Sequence, residues 1–141
     1  MSTDTNKAIV RRYIDQVLDK GHADLAGEFL AENIEFHGTN LAPGLAAIEE
    51  YVVTFAAAFP DRHVSADDVV AEGDRVVART TMTGKHLGDF QGIPATGKPV
   101  NQSSISIFRM ANGKIAEAWF AADNLSMMQQ LGVIPIPQNA S

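Results

Sequence analysis

Val10, Tyr13, Ile14, Val17 and Leu18 recur at intervals of three and four residues, the spacing of one stripe on a helix that ends near Lys20 and Gly21. A shorter helical segment, Ala23 to Leu30, carries Leu25, Phe29 and Leu30, and Asn33 to His37 then alternates like a brief strand. Pro43 opens a third helix in which Leu45, Ile48, Val52, Phe55 and Phe59 mark a single face, and Pro60 forbids its continuation. From Arg62 onward the hydrophobic period changes to two. Val64 to Val70 and Arg75 to Thr83 are strands joined at the Glu72-Gly73-Asp74 turn; Val100 to Met110 and Lys114 to Ala122 form a second hairpin at Asn112-Gly113. A loop, Gly84 to Pro99, separates the pairs, and residues 124–131 make a last helical turn or two stopped by Gly132. Helices segregated before an antiparallel meander define an α+β fold with the helices on one sheet face. Such a sheet can curl into a half-open cone, leaving either a pocket or a surface that a partner's sheet covers.

The length of 141 residues suits a single domain, with loose ends expected at about 1–5 and 133–141. Eleven Lys and Arg against 17 Asp and Glu give a net charge of −6, which repels phosphate backbones and anionic lipid and so speaks against nucleic-acid or membrane partners. The absence of cysteine excludes disulfides, thiolate metal sites and Cys nucleophiles. The polar start, Met1 to Lys7, does not support a secretory signal, and no apolar run approaches the roughly 20 residues of a membrane helix. A cytoplasmic location is therefore expected.

Parity along Lys114 to Ala122 sorts Ile115, Glu117, Trp119, Ala121 and Asp123 onto one side and Ala116, Ala118, Phe120 and Ala122 onto the other. The second side is small and apolar, suited to helix packing; the first carries a Trp and two carboxylates and is assigned to the concave interior. Glu117 and Asp123 lie roughly 20 Å apart along an extended strand, too far to flank one substrate bond, so one of them must act alone, if either acts. Asp123 sits among Phe120, Leu125 and Met127, where desolvation would suit a proton shuttle, but as the residue before a helix it suits an N-cap, the reading that spacing alone favours. His22, His37, His63 and His86 have no metal-site spacing, so no metal is expected. His22 and His63 read as exposed, whereas His37 and His86 could each line a pocket mouth or simply meet solvent. The polar run Asn101, Gln102, Ser103, Ser104 and Ser106 within a strand suggests a wet or ligand-filled interior, or an exposed one. Arg79 could bind a substrate oxygen or form a cross-strand salt bridge. The serines lack a G-x-S-x-G setting, and neither Gly-Lys pair completes a P-loop.

The segments A-F-P-D at 58–61, A-E-G-D-R-V-V-A-R at 71–79, F-Q-G-I-P-A-T-G-K at 90–98, I-F-R at 107–109, N-G-K-I-A-E-A-W at 112–119, Asp123 and Q-Q-L-G at 129–132 together resemble the SnoaL-like polyketide cyclase family. This family belongs to the NTF2-like, ketosteroid-isomerase-like superfamily of cone-shaped curved sheets backed by N-terminal helices. The resemblance implies a homo-oligomer, dimer or tetramer, packed through sheet surfaces. It also implies an intramolecular aldol condensation of an apolar, polyketide-like carbonyl compound, without metal or cofactor. The family's acid/base Asp falls on Asp123, with Trp119, His37, His86, Gln102, Ser104 and Arg79 as substrate-binding candidates. The pocket histidine of studied cyclases has no counterpart on Val100 to Met110; Gln102, Ser104, Ser106 or Arg109 would take its place. The alternatives are an NTF2-like hydrolase or isomerase, such as an epoxide-opening enzyme, and a non-catalytic ligand-binding or dimerisation module.

Overall fold

In the computed structural model, which describes residues 2–137, α1 (Thr3–Tyr13) starts at Ser2, whose Oγ accepts the Thr5 N–H. The expected loose start is thus helical from Thr3 onward, while 138–141 of the expected loose end lie outside the described residues. The helix runs on as a π-helical turn, Ile14–Asp19, and a 3-10 turn (Ala23–Leu25) and the single-turn α2 (Ala26–Phe29) lead into β1 (Leu30–His37). Then come α3 (Leu45–Ala58), β2 (His63–Glu72), β3 (Arg75–Lys85), β4 (Pro99–Ala111), β5 (Lys114–Ala122) and α4 (Asn124–Gln130). The second helical segment is shorter than its pattern predicts because Leu30 already pairs with Ile115 in the sheet.

The five strands lie in the order β1-β5-β4-β3-β2. β2 to β5 form the expected antiparallel meander, and β1 adds to the far edge in parallel, which makes the sheet mixed. Opposed residues of paired strands share a face. Val76, Phe108, Ala118 and Phe36 therefore point one way, as do Ala78, Ser106 and Phe120, and Thr80, Ser104 and Ala122. This is the helix-backed face. Val10, Tyr13, Ile14 and Val17 from the first helix, and Ile48, Val52, Phe55 and Phe59 from the third, close over it in one core cluster with Val76, Ala78, Phe108 and Ala118. Tyr13 meets the Phe108 ring edge-on at 6.2 Å. Arg62 pins both helix ends, its Nε donating to Leu18 O at 2.9 Å and its Nη1 to Phe59 O at 3.4 Å, which satisfies carbonyls that a helix terminus leaves free.

The open face carries Val70, Val77, Ile107, Trp119 and His37 in one cross-strand row and Glu72, Arg75, Arg109, Glu117 and Glu35 in the next. A one-residue bulge between Arg109 and Met110 sets this arrangement: Met110 opposes Ile115 but Arg109 opposes Glu117, so Ala116 is the additional residue.

Candidate active site

The bulge divides the expected site. Gln102 and Ser104 point to the helix-backed face, whereas Trp119, His37 and Arg79 point to the open one. A single interior holding these five substrate-binding candidates is therefore not what forms. The small side chain of Ala118 does meet the helices, as expected; Glu117 and Trp119 lie across the sheet from the helices.

Asp123 ends β5. Its N–H donates to Ser103 O at 3.0 Å, and the chain then leaves the sheet for α4. Its Oδ1 accepts the Ser126 N–H at 3.0 Å, so the carboxylate caps the helix. Asp123 is exposed, as are Leu125 (60%) and Phe120 (37%); only Met127 of the expected apolar shelter is buried. The desolvated setting expected for this carboxyl is thus absent from the isolated chain, because the side chain turns outward with the chain to meet the first turn of α4. Oδ2 makes no protein hydrogen bond among the described residues.

Gln102 joins this corner, its Nε2 donating to Asn124 Oδ1 at 3.1 Å and to Asp123 O at 3.4 Å. Beyond the end of β5, the Gln130 side chain serves as a surrogate strand. Its Oε1 accepts Asn101 N–H at 2.7 Å and its Nε2 donates to Asn101 O at 2.9 Å. Ser104 lies opposite Ala122, one residue from Asp123, and its hydroxyl bonds that of Thr80 on β3. Gln102 is thereby tied to the Asp123 main chain, and Ser104 stands one register position away from it.

Trp119 and His37 form a second group. Their rings stack at 5.1 Å, with the Arg75 guanidinium 4.8 Å from the Trp119 centroid. His37 Nε2 lies 2.6 Å from Glu117 Oε2, and Arg109 Nε donates to Glu117 Oε1 at 3.0 Å. These two hydrogen bonds, Arg109's foremost, hold the Glu117 carboxyl below its ordinary range. With Glu35, which the sequence reading passed over, His37 and Glu117 place potential metal-ligand atoms within 4.8 Å of one another. Arg109 sets a positive charge beside that trio, which makes it an ion-pair network before it is a cation site.

The other candidates stand apart. Arg79 is bound by Asp68 at 2.7 Å and Asp67 at 3.5 Å, the cross-strand salt bridge among its two readings. His86 is fully buried, not at a pocket mouth. Its Nδ1 accepts the Thr96 N–H at 3.3 Å, its ring lies 5.5 Å from that of Phe59, and its Nε2 has no hydrogen-bond partner among the described residues. The ring holds the base of the 84–99 loop, where His86 N–H also donates to Lys98 O. Arg109 faces away from Ser104 and cannot stand in for a pocket histidine there. Two tyrosines titrate high: Tyr13, read from the sequence as a helix position, whose hydroxyl burial and the nearby Tyr51 push well up, and Tyr51, which the sequence pattern did not single out, pushed up to about 12 by burial.

The helix-backed five-stranded sheet has clear counterparts. The family description "SnoaL-like polyketide cyclase" matches residues 8–131, and the chain belongs to that family, as the segments ending at Gln129 to Gly132 suggested. Over 132 residues, covering 88% of each chain, it is 29% identical to the aklanonic acid methyl ester cyclase DnrD of Streptomyces peucetius. It is similar in structure to TsrD from Streptomyces laurentii, with a TM-score of 0.88 at 25% identity over 95% of this chain and 99% of that one. A SnoaL-like polyketide cyclase from Agrobacterium tumefaciens superposes with a TM-score of 0.77 at 26% identity, over 94% and 100% of the two chains. The expected NTF2-like α+β fold is the one observed. No helix among the described residues is long and apolar enough to cross a membrane.

Proposed function

We propose that the protein closes a ring in an apolar, polyketide-like carbonyl substrate by intramolecular aldol addition, with Asp123 as the base. The observation that carries this reading is the end of β5 itself, where the exposed Asp123 carboxylate keeps one oxygen free of protein hydrogen bonds among the described residues, and where the Gln102 amide bonds the Asp123 main chain and Ser104 lies opposite the preceding residue, Ala122. Asp123 takes a proton from the carbon next to one carbonyl, and that carbon bonds to the carbon of a second carbonyl in the same molecule. The second carbonyl oxygen becomes an alkoxide and receives the proton, so every substrate atom is retained. Phe120 and Leu125 supply apolar surface for the rings, and a bound substrate would itself exclude water from the carboxylate. Aklanonic acid methyl ester, the compound in the name of the relative DnrD, is the first test substrate. The expected result is a ring-closed product of unchanged mass; no conversion at enzyme concentrations comparable with substrate would overturn the reading.

The same reading includes self-association through the open face. Val70 is 61% exposed, Ile105 51% and Ile107 38%, an apolar patch that water covers in a lone chain. Sedimentation should give at least a dimer, and Ile107→Lys should shift it toward monomer; a wild-type monomer at tens of micromolar refutes this part.

A further inference from the structure

We propose that the Thr80–Ser104 hydroxyl pair receives the substrate oxygen that becomes an enolate, with Ser104 donating to it and Thr80 orienting Ser104. The inference rests on the cyclase reading above and assigns the group that would oppose Asp123. The helix-backed face is apolar and buried along Val76, Ala78, Phe108, Met110 and Ala118. Its polar side chains cluster at one end, in Thr80, Gln102, Ser104 and Ser106. Ser106 is buried, and the Gln102 amide is already spent on Asp123 O and Asn124. Thr80 and Ser104 are half-buried and bond each other. Two hydroxyls carry two hydrogens, and the bond between them uses one, so the pair retains one O–H to donate.

Position favours Ser104 as the donor. In the register Thr80, Ser104, Ala122, it is one strand nearer Asp123, and opposed residues across such strands lie about 5 Å apart. A proton on the carbon next to a carbonyl is close to that carbonyl's oxygen, so base and donor must stand within a few ångströms of each other. Thr80 is β-branched and held in a strand, which fixes its rotamer and makes it a suitable orienting partner. Ala122, the next residue of that row, presents only a methyl group beside the hydroxyls. A donor aimed where negative charge develops acts on the chemical step more than on ground-state binding.

The test is steady-state turnover of aklanonic acid methyl ester by Ser104→Ala, Thr80→Val, Thr80→Ser and the Ser104→Ala/Thr80→Val double variant, each checked for an unchanged thermal midpoint. Ser104→Ala should lower kcat about 100-fold with little change in KM. Thr80→Val should lower kcat about fivefold, Thr80→Ser should restore it, and the double variant should be no worse than Ser104→Ala, because Thr80 acts through Ser104. Ser104→Ala within threefold of wild type, or independent effects that multiply, would overturn the inference. A second measurement separates it from the cyclase reading: binding of 1,8-dihydroxyanthraquinone, followed by fluorescence and by its carbonyl stretch. If wild type fails to convert the ester yet binds this probe about tenfold more tightly than Ser104→Ala does, with a lowered carbonyl frequency, the oxygen site stands and the reaction assignment falls. Equal binding by both proteins sinks the oxygen site.

Discussion

Asp123 holds two assignments, helix cap and base, and two substitutions pull them apart. Asparagine keeps an oxygen that can accept the Ser126 N–H and is as good an N-cap as aspartate, while it cannot take a proton from carbon. Alanine loses both functions. Loss of the cap costs about 1 kcal/mol, which for a chain of this length lowers the thermal midpoint by roughly 3–5 °C if α4 unfolds with the rest. Because α4 is only seven residues and exposed at Leu125, it could instead open locally, so amide hydrogen exchange at Ser126 is the direct readout. Asp123→Asn should leave Ser126 exchange and the midpoint close to wild type while turnover falls about 10²- to 10⁴-fold. Asp123→Ala should show the same loss of turnover together with faster exchange. An asparagine variant that cyclises the ester at the wild-type rate would refute the base assignment, and one that exchanges as fast as the alanine variant would refute the cap.

Glu117, held below its ordinary range by Arg109 and His37, stabilises the fold at pH values above about 4.5 and loses that contribution as pH falls through its depressed folded value. The midpoint gap between wild type and Glu117→Gln should therefore be widest above pH 5 and close in more acidic buffer; a gap independent of pH contradicts the network. Tyr51, raised from 10 to about 12, works the other way. Its contribution, at most about 3 kcal/mol, is intact below pH 10 and lost as pH rises toward 12, so Tyr51→Phe should flatten alkaline unfolding monitored by circular dichroism. Gly38 and Gly92 both adopt φ near +80°, but a Cβ on Gly38 would fall 2.2 Å from Phe120 O whereas one on Gly92 meets nothing within 4 Å. Gly92→Ala should cost about 1–2 kcal/mol and Gly38→Ala distinctly more in denaturant titration; equal losses would mean that β1 and β5 separate freely there.

The helix stripe of Val10, Tyr13, Ile14 and Val17, the α3 face, and the turns at Gly73 and Asn112-Gly113 were all readable because each is local, a matter of period and turn chemistry. Recognition of the family segments carried the topology further than periodicity could. The site was less legible because its faces depend on a register. An unbroken hairpin from Asn112-Gly113 would oppose Ser104 to Ala121 and place it with Trp119 and Glu117. The additional residue Ala116 opposes it to Ala122 instead and turns it to the helices. Nothing in the composition of Lys114 to Ala122 announces that bulge. His86 was misplaced for a different reason: a histidine in a glycine-rich loop suggests exposure, and only the return of Thr96 and Lys98 against it closes the loop over the ring.

That one residue decides which chemistry each face can host. Without it, the carboxylate of Glu117 would oppose Phe108 within the helix-packed core, where an unpaired charge is too costly to keep. With it, Ala118 opposes Phe108 and leaves space for Tyr13 and the helices, while Glu117 meets Arg109 and His37 on the open face. The same shift moves Ser104 into the row of Thr80 and Ala122, next to the residue that ends the strand. The ion-pair network and the oxygen-bearing corner are therefore consequences of one register. A change that removed the bulge would be expected to dismantle both, even though it touched neither.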